Sequence, residues 1–149
     1  MFLANPVLVD TVYGMTHAAR QEALLSRWGF TCTCPLCSAS PKEIEKSDQR
    51  RERLKELRDE IRLMIRKQQY KAAIKGQHEV VKIAQTENLT SQIGEYYWVL
   101  SRLYSIASDR RNSIKYAKVA YEELKKYREG GSALDDVFKD LEKFLAENK

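Results

Sequence analysis

From residue 41 onward the apolar positions of this chain recur three and four apart, which predicts a run of amphipathic helices. The first spans about 41–67, with Ile44, Leu54, Leu57, Ile61, Met64 and Ile65 near helical spacing. A second spans about 69–87, with Tyr70, Ala73, Ile74, Val80, Val81 and Ala84, and Asn88 as its stop. A third covers about 90–108, with Ile93, Tyr96, Tyr97, Leu100, Leu103, Tyr104 and Ala107 inside. A fourth covers about 110–128, with Ile114, Ala117, Ala120, Tyr121 and Leu124 inside, and Gly130-Gly131 ends it. Ser132 then caps a last helix with the stripe Leu134, Val137, Phe138, Leu141 and Leu145.

The first forty residues read differently. Residues 1–12 are apolar and β-branched after Pro6, which suggests a short strand or an extended entry. Thr16 is a good N-cap for a helix over about 17–27, and Gly29 ends it. Ala19, Ala23 and Leu24 give that helix its apolar side, and Arg20 and Gln21 face elsewhere. Ser40 followed by Pro41 is a helix start, since proline at the first position gives up an amide that has no partner there. The first half of the long helix, Lys42 to Arg53, is nearly all polar. It is expected to project into solvent or to act as a helical linker.

The helices at 90–128 have tetratricopeptide character. Tyr97, Leu100, Ser101 and Tyr104 match a large-Leu-small-large pattern, and Ser113, Ala117 and Ala120 are small where helices would cross closely. A 34-residue period is not clearly repeated. The fold class expected is mainly α, a short zinc-type cysteine knot followed by antiparallel tetratricopeptide-like helical hairpins. The division expected is 1–40 and 41–149. Tyr96, Tyr97, Trp98, Tyr104, Tyr116 and Tyr121 read as core residues with hydroxyls at the rim, rather than as a peptide groove. His78, among charged neighbours, reads as an exposed surface residue.

Charge adds little. The net charge is +5. Residues 42–71 carry eleven Lys and Arg against seven acids, which reads as a solvated mixed face rather than a nucleic-acid site. No apolar run approaches the ~20 residues of a membrane helix. The N-terminus lacks a basic segment before its apolar stretch, so no signal peptide is expected. No Ser/His/Asp set, P-loop or H-E-x-x-H motif occurs.

The cysteines change the picture. All three, Cys32, Cys34 and Cys37, lie within six residues as C-x-C-x2-C. Such spacing and an odd count fit a disulfide framework badly. Three thiolates converging on one ion fit better, and zinc is the natural guest of sulfur donors. Pro35 fixes φ and helps the loop fold back. His17, just upstream, is within reach as a fourth ligand, although nothing in the spacing requires it. Clustered free thiols suit a reducing intracellular compartment, nucleus or cytoplasm.

The run from Tyr13 to Leu24, then Trp28-Gly29-Phe30 and Cys32-x-Cys34-x2-Cys37, resembles the end of a SET domain and its post-SET segment. The closest type is the SMYD-like and fungal group of protein lysine methyltransferases. The resemblance covers about residues 8–40, with a looser helical likeness beyond. It implies that Cys32, Cys34 and Cys37 are post-SET zinc ligands, with the fourth ligand a cysteine of the SET core. It implies that Trp28 and Phe30 lie where family aromatics line the S-adenosyl-L-methionine pocket and the lysine channel. This chain has no Asn-His-x-Cys, Gly-x-Gly or Gly-Glu-Glu motif, and Leu8 stands where the catalytic tyrosine would be.

The chain therefore reads as a C-terminal fragment of such an enzyme, with no catalytic residue of its own. It would bind zinc and hold a protein substrate, such as a histone or another lysine-containing protein, against the missing SET core. The alternatives are a stand-alone helical protein-interaction module and a small zinc module that binds nucleic acid.

Overall fold

The computed structural model describes residues 14–127 and 134–149. Among them are six helices and no strand: α1 His17–Trp28, α2 Pro41–Arg66, α3 Tyr70–Thr86, α4 Thr90–Ile106, α5 Arg110–Lys125 and α6 Leu134–Glu147. The chain is mainly α, with antiparallel helical hairpins and a cysteine cluster, as the periodicity and spacing predict. The extended stretch expected at 1–12, the Gly130-Gly131 stop and the Ser132 cap lie outside the described residues. The chain packs as two compact units, Met1–Glu56 and Leu57–Lys149.

In the first unit, α1 closes at Gly29, whose φ of 70° is the left-handed conformation that glycine adopts without a Cβ penalty. Its start differs from expectation. Thr16 holds the N-cap position, but its side chain makes no capping bond. Instead the His17 amide donates to Asp48 Oδ1 at 2.7 Å, from thirty-one residues away. A carboxylate suits that place because a helix N-terminus carries open amides and partial positive charge.

The start of α2 is a reciprocal cap. The Glu43 amide donates to Ser40 Oγ at 3.3 Å, and the Ser40 amide donates to Glu43 Oε2 at 3.1 Å. Hydrogen bonds from the Ser40 side chain and backbone hold the Glu43 carboxyl below its usual range. The first half of α2 does not simply project into solvent. Ser47 and Arg51 are buried, and Arg51 Nε donates to Ser47 Oγ at 3.3 Å. Burying residues this polar is eased by such bonds between them.

In the second unit one turn is used three times. Gln68, Asn88 and Ser108, spaced twenty residues apart, have φ of 57°, 53° and 63°. Around each, two amides fold back on the helix just ended. Gln69, Leu89 and Asp109 donate to Met64, Ala84 and Tyr104 carbonyls at 2.8, 2.9 and 2.9 Å. Gln68, Asn88 and Ser108 donate to Ile65, Gln85 and Ser105 carbonyls at 3.0, 3.2 and 3.0 Å. This is the Schellman arrangement, a left-handed residue closing both open carbonyls. The period is thus twenty residues per helix and turn, which explains why a 34-residue period is weak in the sequence.

The turns set α3 against α4 and α4 against α5, and the small residues let them close up. Ser101, Ser113, Ala117 and Ala120 are fully buried. Ser101 Oγ donates to the Ser113 carbonyl at 2.7 Å, which satisfies a buried hydroxyl at the α4–α5 crossing. Trp98, Ala117, Ala120, Leu124, Phe138 and Leu141 form the core there, with Tyr97, Tyr121 and Phe144 packed at its edge. Tyr96, Tyr104 and Tyr116 are half-buried. Tyr116 stacks on Tyr97 and on Tyr104, at interplanar angles of 11° and 8°. His78 is not a plain surface residue. Its Nε2 lies 2.9 Å from the Tyr104 hydroxyl, and its ring meets the Tyr116 edge at 74°. Burial, and then the charge of Lys115, push its pKa below the ordinary histidine value.

Gly94 lies where α4 and α5 approach closely. A Cβ there would lie 2.6 Å from Leu124 Cγ and 3.0 Å from the Leu124 amide nitrogen. Gly94→Ala is expected to destabilise the protein by about 1–3 kcal/mol through overpacking, despite alanine's better helix propensity. Chemical denaturation checks this, and Leu124→Ala in the same chain should recover part of the loss if the clash is the cause. A second expectation concerns the turns. Ser108→Gly should stabilise by about 1 kcal/mol, because serine carries a left-handed penalty that glycine does not. A raised midpoint of thermal unfolding is the expected reading.

Candidate metal centre

The loop between α1 and α2 carries the chemistry. The sulfurs of Cys32, Cys34 and Cys37 all lie within 4.8 Å of one another, so the spacing does bring the three predicted ligands together. All three are free thiols; Cys34 is exposed, and Cys32 and Cys37 are half-buried. The loop turns tightly after Cys34, whose carbonyl accepts from the Ser38 amide at 2.9 Å. The Ser38 hydroxyl also donates to the Thr33 carbonyl at 3.0 Å.

Two α1 residues that the apolar pattern sets aside hold this loop. Gln21 grips Cys32 from both sides of its backbone. Its Nε2 donates to the Cys32 carbonyl at 2.9 Å, and its Oε1 accepts from the Cys32 amide at 2.8 Å. The amide thus acts as a short length of paired strand and ties the first thiol to the helix. Arg20 is 5% exposed. Its Nη1 donates to the Met15 carbonyl at 2.6 Å, and its Nη2 lies 3.9 Å from Cys37 Sγ. A buried guanidinium beside a sulfur favours the thiolate needed for metal binding. The one sequence signal for both residues is their place on the helix that enters the loop.

His17 does not join the thiols; among the described residues the group able to hold a metal is the three cysteines. The His17 ring instead accepts at Nε2 from Gln21 Nε2 at 3.4 Å. It stands behind the residue that holds Cys32. Trp28 and Phe30, the two positions expected to line a cofactor site, are exposed at 41% and 49%. Leu25, one turn earlier on α1, is exposed as well.

The thiols are inequivalent. Burial raises the Cys34 pKa, but hydrogen bonds from the Cys37 backbone, the Cys32 and Cys37 thiols and the Leu36 backbone outweigh it, and the pKa falls below the ordinary value. Cys37 is pushed up to about 11, by burial first and by its thiol neighbours, against the Arg20 hydrogen bond. Bound metal would replace these protons, because the thiolate is the ligand form. Soft sulfur donors in this number fit zinc.

A second concavity lies within Leu57–Lys149, between α4 and α6. It is a groove of about 440 Å³ whose lining includes Trp98, Arg102, Asp140, Lys143, Phe144 and Glu147. The Arg102 guanidinium lies 5.8 Å from the Trp98 ring centre. Comparison of the chain with protein-family models, with curated proteins and with solved structures gives no match.

Gln21→Ala should lower zinc affinity about 10–100-fold, the usual cost of losing a group that holds a metal ligand. Competition with a chromophoric chelator measures it, and unchanged affinity would deny Gln21 that part. In the metal-free protein at neutral pH, iodoacetamide should alkylate Cys34 first and Cys37 last. The lowered pKa leaves Cys34 ionised to lower pH, while a pKa of about 11 keeps Cys37 protonated. Peptide mass mapping reads the order.

Proposed function

We propose that this chain is the post-SET and C-terminal helical part of a SET-type protein lysine methyltransferase. The observation that carries the reading is the convergence of Cys32, Cys34 and Cys37 directly after Trp28 and Phe30. That order, followed by helical hairpins, is the order of the family's C-terminal end. The three thiolates hold zinc, and the ion supplies a crosslink rather than reactivity. A fourth sulfur comes from the SET core. Leu25, Trp28 and Phe30 form the apolar face that meets that core and the S-adenosyl-L-methionine site. The hairpins hold the lysine-bearing protein substrate, in the nucleus or the cytoplasm. No helix among the described residues is long and apolar enough to cross a membrane.

One observation favours a second reading, that of a helical protein-interaction module. The groove between α4 and α6 is lined by the aromatic Trp98 and Phe144 and by charged residues, without any help from the cysteines. The two readings part on the metal. Under the first, the chain binds zinc through all three cysteines, and a SET core added in trans tightens that binding. Under the second, zinc is dispensable to partner capture.

The test is metal content and chelator competition on the wild type and on Cys34→Ser. The chain alone should hold zinc weakly, because a closed structural site has four protein ligands. It should transfer no methyl group from labelled S-adenosylmethionine to a histone mixture. Zinc binding indifferent to Cys34→Ser would remove the post-SET reading, and methyl transfer abolished by that change would show a catalytic chain.

A further inference from the structure

The donor set itself selects a second class of ion. We propose that Cys32, Cys34 and Cys37 form a three-coordinate site that captures trivalent arsenic, offered as arsenous acid, in competition with zinc. This rests on the same thiol cluster as the zinc reading, but not on the SET resemblance.

The chain contains three cysteines, whose thiolates are its charged soft donors, three methionines with neutral thioethers, and two histidines with borderline imidazoles. The three sulfurs lie within 4.8 Å of one another on one loop. Both imidazoles are engaged elsewhere, His17 with Gln21 and His78 with Tyr104. Zinc needs four donors and is left one short by the described residues. Trivalent arsenic carries a lone pair and takes three ligands in a pyramid, so the same three thiolates complete it. Thiolates also prefer such soft centres over hard ones.

The step balances without a redox partner. Three As–O bonds break and three As–S bonds form. Each thiol proton leaves with a hydroxide as water, and arsenic stays trivalent. Access and order both favour it. Cys34 is exposed and offers the first sulfur. Gln21 then holds Cys32 in place on α1, so the later bonds close within a loop already partly fixed. Charge separates the two ions. Three thiolates on zinc leave one net negative charge, which the Arg20 guanidinium beside Cys37 helps to balance. Three thiolates on trivalent arsenic are neutral and gain little from it.

The experiment titrates the reduced, metal-free full chain with sodium arsenite and follows the near-ultraviolet sulfur-to-arsenic absorption. Native mass spectrometry counts arsenic atoms and displaced protons. One arsenic with three protons lost is the expected result. Cys32→Ser, Cys34→Ser and Cys37→Ser should each weaken binding about 100-fold, the loss of one linked arm of a chelate. Phenylarsine oxide, which needs only two thiols, should still bind each single variant and so show that the remaining thiols are present and reactive. Arg20→Met should weaken zinc binding more than it weakens arsenite binding. Wild type that fails to bind arsenite, or binds it equally well after any one cysteine is replaced, overturns the proposal. Zinc competition on the same samples keeps the readings apart. Zinc bound without arsenite sinks this inference alone, and arsenite bound without zinc sustains it and sinks the zinc reading.

Discussion

A helix that ends must hand its last carbonyls and its first amides to someone else, and this chain is shaped by how it does so. An unpaired buried backbone group costs about as much as a lost hydrogen bond, so each exit from a helix needs a specific partner. In the second unit the answer is one motif repeated, with Gln68, Asn88 and Ser108 turned left-handed to close the carbonyls behind them. Each turn reverses the chain in three residues, so the next helix runs back along the last. The hairpins follow from that reversal, and the small residues Ser101, Ser113, Ala117 and Ala120 settle how near the helices come.

In the first unit the same constraint builds the site. Asp48 takes the open amide at the head of α1, and Gln21 takes both backbone groups of Cys32. The second of these is what turns a flexible run of thiols into a cluster. A loop of this length would otherwise spend conformational entropy, about 1–2 kcal/mol for each residue ordered, when it closed on an ion. Tying one ligand to a helix lowers that cost before any ion arrives. Arg20 adds a positive charge beside Cys37 from a buried position.

The two halves of the molecule therefore illustrate different uses of polar groups. The hairpin unit buries Gln77, Glu87, Ser101 and Ser113 inside an apolar core, and Gln77 and Ser101 bond to backbone carbonyls of the neighbouring helix. Among the described residues of the cysteine unit the buried side chains are the polar Arg20, Ser47 and Arg51, and bonds made by Arg20, Gln21 and Asp48 tie its elements together. Small domains commonly add a metal crosslink to such bonds.

Helix positions were legible from residue order alone, because apolar spacing is local and each stripe is several turns long. Five of the expected helices agree with α1 to α5 to within about two residues at most ends, the usual uncertainty of helix boundaries. The cysteine cluster was legible too, since six residues cannot carry three thiols far apart. What the chain order could not give was every partnership between distant residues. Nothing in Thr16 says that Asp48 will cap its helix, and a polar run such as Lys42 to Arg53 looks solvated until Ser47 and Arg51 are seen buried. Arg20 and Gln21 fall off the apolar side of α1, so periodicity discards them, yet they hold the thiols. His78 looked exposed because its neighbours in sequence are charged, whereas its neighbours in space are Tyr104 and Tyr116. Local pattern decides which segments coil into helices. Long-range hydrogen bonds and close packing decide which of their polar side chains are buried, and those bonds exist only once the helices have met.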